Sequence, residues 1–185
     1  MKKLLLISDL HGQGITLIYL QKIIDREKPE SVIICGDITT GGDILFFEQL
    51  EKIIEKNRLA GFLVWGNSDV PYANQYINKS KYCVHLKEKK LGDFKIFGVG
   101  ETDNPVDISA KIKGRILITH QPPPKLMLLK KYGNAPLFHI SGHLHTQKTA
   151  RQYPTTFHIS VPTLQKGEYA IFYPERKSVE FSRIG

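Results

Sequence analysis

Four consecutive apolar residues, Leu4 to Ile7, lie between two lysines and the polar pair Ser8–Asp9. A short unbroken apolar run of this kind predicts a strand buried on both faces, here over Leu4–Ser8. The period then changes. Apolar residues at 15, 17, 18, 20, 23 and 24 form a helical stripe over Ile15–Lys28, and Pro29 favours its ending nearby. Val32–Cys35 predicts a second buried strand. Ile44–Lys56 predicts a second amphipathic helix with Leu45, Phe46, Leu50, Ile53 and Ile54 inward, and Gly61–Trp65 a third strand. The first third therefore reads β-α-β-α-β, the pattern of neighbouring parallel strands.

The second half is richer in strands. Phe94–Val99, Arg115–Thr119 and Leu137–Ser141 are short strand candidates, and a helix is expected over about Lys125–Tyr132 before Gly133. "YAIFY" and "SVEFS", separated by "PERK", predict a hairpin. With no architectural repeat or linker, residues 1–185 read as one domain. The fold class expected is α/β, a two-sheet β-sandwich flanked by helices.

Composition narrows the class. At 41% hydrophobic and 24% charged, 185 residues suffice for one core. The opening "MKKLLLISDLHG" mimics a secretion signal, but its apolar patch is shorter than the roughly 7–15 residues of a signal core. No apolar run reaches the roughly 20 residues of a bilayer helix. The expectation is a cytoplasmic protein without a membrane partner. Cys35 and Cys83 have no zinc-finger or redox spacing, and no disulfide is expected. Lys and Arg exceed Asp and Glu by 26 to 18, a net +8 that attracts anions. The lysines are interspersed with glutamates, as on a solvated surface, which argues for a small anionic ligand rather than a nucleic acid.

The chemistry sits at strand ends. The first three strands deliver "SDLHG", "GDITTGG" and "GNSD"; two later ones deliver "THQPPP" and "SGHLH". Loops beyond the carboxyl ends of parallel strands build the ligand site in α/β sheets. Asp9, His11, Asp37, Asn67, His120, His143 and His145 should therefore converge. Carboxylates, imidazoles and an amide, without thiolates, suit Mn²⁺, Fe, Zn²⁺, Co²⁺ or Ni²⁺. Seven ligands exceed one tetrahedral ion and suit a pair sharing a carboxylate. Taken singly, each residue has an ordinary reading: a helix cap for Asp37, a turn residue for Asn67, a loop histidine for His120. His85 and His158 match no motif, and His139 reads as core or as a support for the ligands.

Together, Asp-Leu-His at 9–11, Gly-Asp at 36–37, Gly-Asn-Ser-Asp at 66–69, His120 and Gly-His-Leu-His at 142–145 resemble the calcineurin-like metallophosphoesterases, in the family's order. That resemblance implies a four-layer αββα fold and two divalent transition ions, manganese foremost. Asp9, His11 and His145 would hold one ion, Asn67, His120 and His143 the other, with Asp37 bridging. It implies phosphoester hydrolysis, of diesters rather than monoesters, by attack of a metal-bridging hydroxide. Asn67, Asp69 and His120 are the residues expected to serve catalysis. The chain departs from many members at Ser68, where they carry a histidine that Asp69 would orient. A non-catalytic interaction scaffold of the same fold is the alternative, although such relatives have lost ligand histidines. A nuclease would be expected to add a capping domain.

Overall fold

The computed structural model describes residues 2–69, 75–101, 109–122 and 135–185. The expected helix over 125–132 lies outside them, as do Lys125, a candidate phosphate contact, and residues 104–108 of the segment 104–113, a candidate wall for a substrate pocket.

In the first sheet, β1 (Leu4–Ile7), β2 (Ser31–Cys35) and β3 (Ala60–Val64) run parallel. The hairpin β10 (Glu168–Tyr173) and β11 (Ser178–Arg183) extends it through an antiparallel β1–β10 pair, giving the order β11-β10-β1-β2-β3. Between the parallel strands run α1 (Gly14–Glu27) and α2 (Ile44–Lys56). Asp43 starts α2 by accepting the Phe46 N–H at 3.0 Å, a side-chain cap that satisfies one unpaired donor of the first turn. Lys28 closes α1 in a left-handed conformation, donating its N–H to Ile24.

The second sheet has the order β4-β5-β6-β7-β9-β8. It comprises β4 (Glu88–Leu91), β5 (Phe94–Val99), β6 (Ile116–Thr119), β7 (Phe138–Ser141), β8 (Thr149–Gln152) and β9 (Phe157–Ser160), with a single helical turn, α3 (Ser109–Ile112), before β6. β5, β6, β7 and β9 are parallel and the edge strands antiparallel. β7 and β9 are the same tetrapeptide, Phe-His-Ile-Ser, paired in register so that Phe138 meets Phe157 and His139 meets His158.

Alternation along the strands builds two cores. Leu4, Leu6, Ile33, Phe62 and Val64 meet Ile116, Ile118, Phe138, Ile140 and Ile159 between the sheets. Leu5, Ile7, Val32, Ile34 and Leu63 face α1 and α2 on the other side. This is the expected α/β sandwich, and among the described residues only the one-turn α3 covers the outer face of the second sheet, through Ile112 on Phe97 and Leu117.

The helical stripes need correction. Ile15 and Ile18 of α1 and Leu45 of α2 are exposed, Leu45 to 67%. Thr16 is buried instead, its hydroxyl bonded to the Gln13 carbonyl at 2.6 Å, and Phe47 turns inward in α2. Cys83 lies in no strand but makes an isolated parallel bridge to Leu63. Both cysteines are free and buried. No helix among the described residues is long and apolar enough to cross a membrane.

Candidate metal centre

Register aligns the loops. Ile7 pairs with Ile34 and Cys35 with Val64, so the segments after β1, β2 and β3 leave the first sheet at one edge. Thr119 pairs with Ser141, which brings His120 and Gly142–His145 out together. Backbone bonds tie the loops within each half, His11 N–H to Asp37 O at 2.9 Å and Gly142 N–H to His120 O at 2.9 Å, and the His143 N–H joins the halves by donating to Asp9 Oδ2 at 3.2 Å.

The loops are drawn tight. Asp9, His11, Asp37, His143 and His145 all have positive φ, between 27° and 68°. That conformation is uncommon for residues other than glycine, although Asp and His adopt it more readily than most, and it gathers at functional sites. Gly36 is required for space as well: a Cβ there would come within 2.7 Å of His120 Nδ1 and 2.8 Å of the Gly66 nitrogen. A Cβ on Gly66 would collide with Asp37 itself.

All seven ligand candidates meet at this edge, in two groups. Asp9, His11, Asp37 and His145 each present a ligand atom within 4.8 Å of all the others. His145 Nε2 lies 3.3 Å from Asp9 Oδ1 and 3.4 Å from His11 Nε2. In the second group His120 Nε2 lies 3.0 Å from Asn67 Oδ1 and 3.2 Å from His143 Nδ1. Asp37 belongs to both, with Oδ1 3.4 Å from His120 Nε2 and Oδ2 3.6 Å from His11 Nε2.

The donor accounting calls for a cation. His120 Nδ1 is 2.8 Å from the Cys35 carbonyl, an acceptor, so in the neutral imidazole the proton sits on Nδ1 and Nε2 carries a lone pair. That lone pair points at the Asn67 oxygen and a His143 nitrogen. Asp9 Oδ1 is buried with no hydrogen bond made to it, whereas Oδ2 accepts the His143 N–H at 3.2 Å. Acceptors facing one another in a part-buried cluster repel unless a proton or a metal cation lies among them. The residues fit divalent metal of the oxygen- and imidazole-binding kind.

Burial pushes the Asp37 carboxyl up, but His120 and two donors from Ser68 outweigh it and hold it at about 2. Burial raises the Asp9 carboxyl, only partly opposed by Ser8, His120 and His145. Burial would lower the His120 imidazole, yet Asp37 and the Cys35 carbonyl bring it above the ordinary histidine value.

Asp69 stands apart from the ligands. Its buried carboxylate accepts from the N–H groups of Gly66 (2.9 Å), Ile38 (3.1 Å) and Thr39 (2.7 Å) and from the Thr39 hydroxyl (2.9 Å). It ties the Asn67 turn to the Asp37 loop. Several supports have no sequence signature: the Cys35 carbonyl beneath His120, Thr163 Oγ1 donating to Asp9 O at 2.9 Å, and Thr40 Oγ1 lying 3.4 Å from His11 Nδ1. His139 supports β6 instead, with Nε2 2.8 Å from Thr119 Oγ1, and stacks on His158 at 4.9 Å.

The calcineurin-like phosphoesterase family model matches residues 2–147. The chain belongs to that family. Its fold is shared by a Thermus thermophilus protein with a TM-score of 0.72 at 14% identity, covering 98% of each chain. An archaeal protein described as a phosphodiesterase aligns with a TM-score of 0.65 at 16% identity, over 98% of this chain and 99% of that one. YfcE, a phosphoesterase from E. coli, aligns with a TM-score of 0.56 at 16% identity, over 99% and 100%. No curated protein matches the sequence.

Proposed function

We propose that this calcineurin-like phosphoesterase hydrolyses phosphodiesters at a centre of two divalent ions. The observation that carries the reading is Asp37, whose two oxygens each face a different histidine group, His120 on one side and His11 on the other. Asp9, His11 and His145 complete one ion site, and Asn67, His120 and His143 the other. Manganese is the ion we assign, within the range the oxygen and imidazole donors accept.

Divalent cations bound there supply Lewis acidity toward a phosphoryl oxygen and toward water. The chain supplies the rest. Asp37, held at about 2, stays ionised throughout the working pH range and balances cationic charge. His120 is anchored by its Nδ1–H bond to the Cys35 carbonyl, and its ring occupies the space that side chains at Gly36 and Gly66 would fill. Asn67 is exposed beside it, where a substrate oxygen can reach its amide. Asp69 serves catalysis through the turn it holds.

Preference for diesters is supported by the missing histidine after Asn67 and by the likeness in fold to the archaeal phosphodiesterase. A serine is a poor proton donor to a leaving group near neutral pH. The substrate is a small anionic phosphoester, drawn by the +8 charge, and the enzyme works in the cytoplasm as a single domain. Retention of all seven ligands favours catalysis over a scaffold role.

The test is a matrix of metals against nitrophenyl mono- and diesters, run on protein stripped of metal. Diester hydrolysis that needs Mn²⁺ and exceeds monoester hydrolysis is the expected result. A faster monoester reaction would overturn the diester assignment, and absence of turnover with every pair would favour the scaffold.

A further inference from the structure

Ser68 occupies the third motif between Asn67 and Asp69, yet it meets Asp37 twice. Its backbone N–H donates to Oδ1 at 2.8 Å and its hydroxyl to Oδ2 at 3.0 Å. An ionised carboxylate offers about four lone-pair directions on its two oxygens. Oδ1 also faces His120 Nε2 at 3.4 Å and Oδ2 faces His11 Nε2 at 3.6 Å. Each oxygen thus takes one Ser68 donor and turns its remaining direction toward one histidine group.

Two donors constrain what one would not. The terminal torsion of an aspartate is broad, so a carboxylate held at a single oxygen can rotate about its own axis. Bonds to both oxygens remove that rotation. The donors are themselves held firmly: Asp69, the next residue, accepts four hydrogen bonds that lock the turn onto the Asp37 loop. Gly66, just upstream, packs against Asp37 too closely for any side chain.

We infer that Ser68 is a positioning residue for Asp37, its hydroxyl fixing the carboxylate plane so that both histidine groups can share it. The inference rests on the two-ion reading above. The Ser68 proton is committed to Asp37 and is therefore not free for a leaving group. The position requires a small side chain that ends in a donor. Were Ser68 merely small enough for the turn, the backbone N–H alone would suffice and the hydroxyl would be silent in metal binding.

Calorimetric titration of metal-free protein with Mn²⁺ separates the two, comparing the unmodified chain with Ser68→Ala and Ser68→Thr. Thermal melts of the metal-free proteins establish that each variant is folded. Groups that orient a metal ligand typically contribute 10–100-fold to metal affinity. Ser68→Ala should therefore weaken Mn²⁺ binding by about that factor, while Ser68→Thr, which keeps the hydroxyl, should stay within a few-fold of the unmodified chain. Ser68→Cys, with a weaker donor of similar size, should fall between. Unchanged affinity in Ser68→Ala, or equal losses in Ala and Thr, would overturn the inference. Saturation of the unmodified chain at one ion would defeat the two-ion reading instead, and the Ala–Thr contrast on that ion would still decide the role of the hydroxyl.

Discussion

His120 Nε2 and His143 Nδ1 face each other at 3.2 Å, and the bond from His120 Nδ1 to Cys35 O leaves a lone pair on the His120 side of that contact. Metal should relieve this arrangement. A ligand that binds only the folded state stabilises it by about 2.7 kcal/mol at a hundredfold excess over its dissociation constant. Added Mn²⁺ should raise the melting temperature by several degrees, and a chelator should reverse the rise. In His143→Ala the Mn²⁺-dependent increment should shrink. An increment equal to that of the unmodified chain would remove His143 from the ligand set.

Asp37→Ala should affect both ions, because each oxygen of Asp37 faces a different group. His145→Ala removes a member of one group only. Elemental analysis after reconstitution and desalting should show Asp37→Ala losing more metal than His145→Ala. Equal metal content in the two variants would contradict a shared carboxylate.

Asp69 should matter for folding before it matters for chemistry. Removing its carboxylate strands three backbone N–H groups and the Thr39 hydroxyl. Buried donors left unpaired cost about 1–3 kcal/mol each where water cannot replace the partner. Asp69→Ala should destabilise the protein by roughly 3 kcal/mol, and Asp69→Asn by less, as read from urea midpoints. A variant of unchanged stability would rule out the strut role.

A pH dependence follows from the paired histidines of β7 and β9. Burial pulls His158 down to about 4 and holds His139 well below the ordinary value of 6.5, with the charge of His158 as a further cause for His139. Between about 4 and 6.5 the unfolded chain binds protons that folded His158 refuses, so stability rises with pH across that window. It is fully present above 6.5 and lost as the pH falls toward 4. His158→Gln should flatten the fall in melting temperature between pH 6.5 and 4.5. A slope unchanged by the substitution would place the acid sensitivity elsewhere.

Legibility in the sequence followed the physics of each element. The run Leu4–Ile7 and the Asp43 cap before Ile44 are local signals, and β1 and α2 appear where those signals put them. The exposed Ile15, Ile18 and Leu45 show the weakness of reading a stripe from apolar residues alone, since Thr16 satisfies its hydroxyl locally and takes an inward place. β8 has no buried residue, and β4 buries only Leu91, so neither carries a period-two pattern. Motif spacing marked all seven ligand candidates, and the structure gathers them. It could not show the left-handed backbone at Asp9, His11, Asp37, His143 and His145, or the carbonyl of Cys35 beneath His120. Those depend on register between strands far apart in the chain.

The leaving group offers a separate handle on Ser68. With serine rather than histidine at position 68, rates should fall steeply as leaving-group pKa rises, so nitrophenyl esters should far outpace alkyl esters. In Ser68→His, compared at saturating metal, a well-placed imidazole could contribute roughly 10²–10⁴ with poor leaving groups and flatten that slope. An unchanged slope with metal content intact would show that the acid deficit does not limit the reaction.

The most direct measurement is a stepwise Mn²⁺ titration of metal-free protein, reading bound metal and nitrophenyl diester hydrolysis in the same samples. Two ions sharing Asp37 imply that activity follows occupancy of the second ion and reaches its plateau near two per chain. Full activity at one ion per chain, or hydrolysis that persists without metal, would contradict the account.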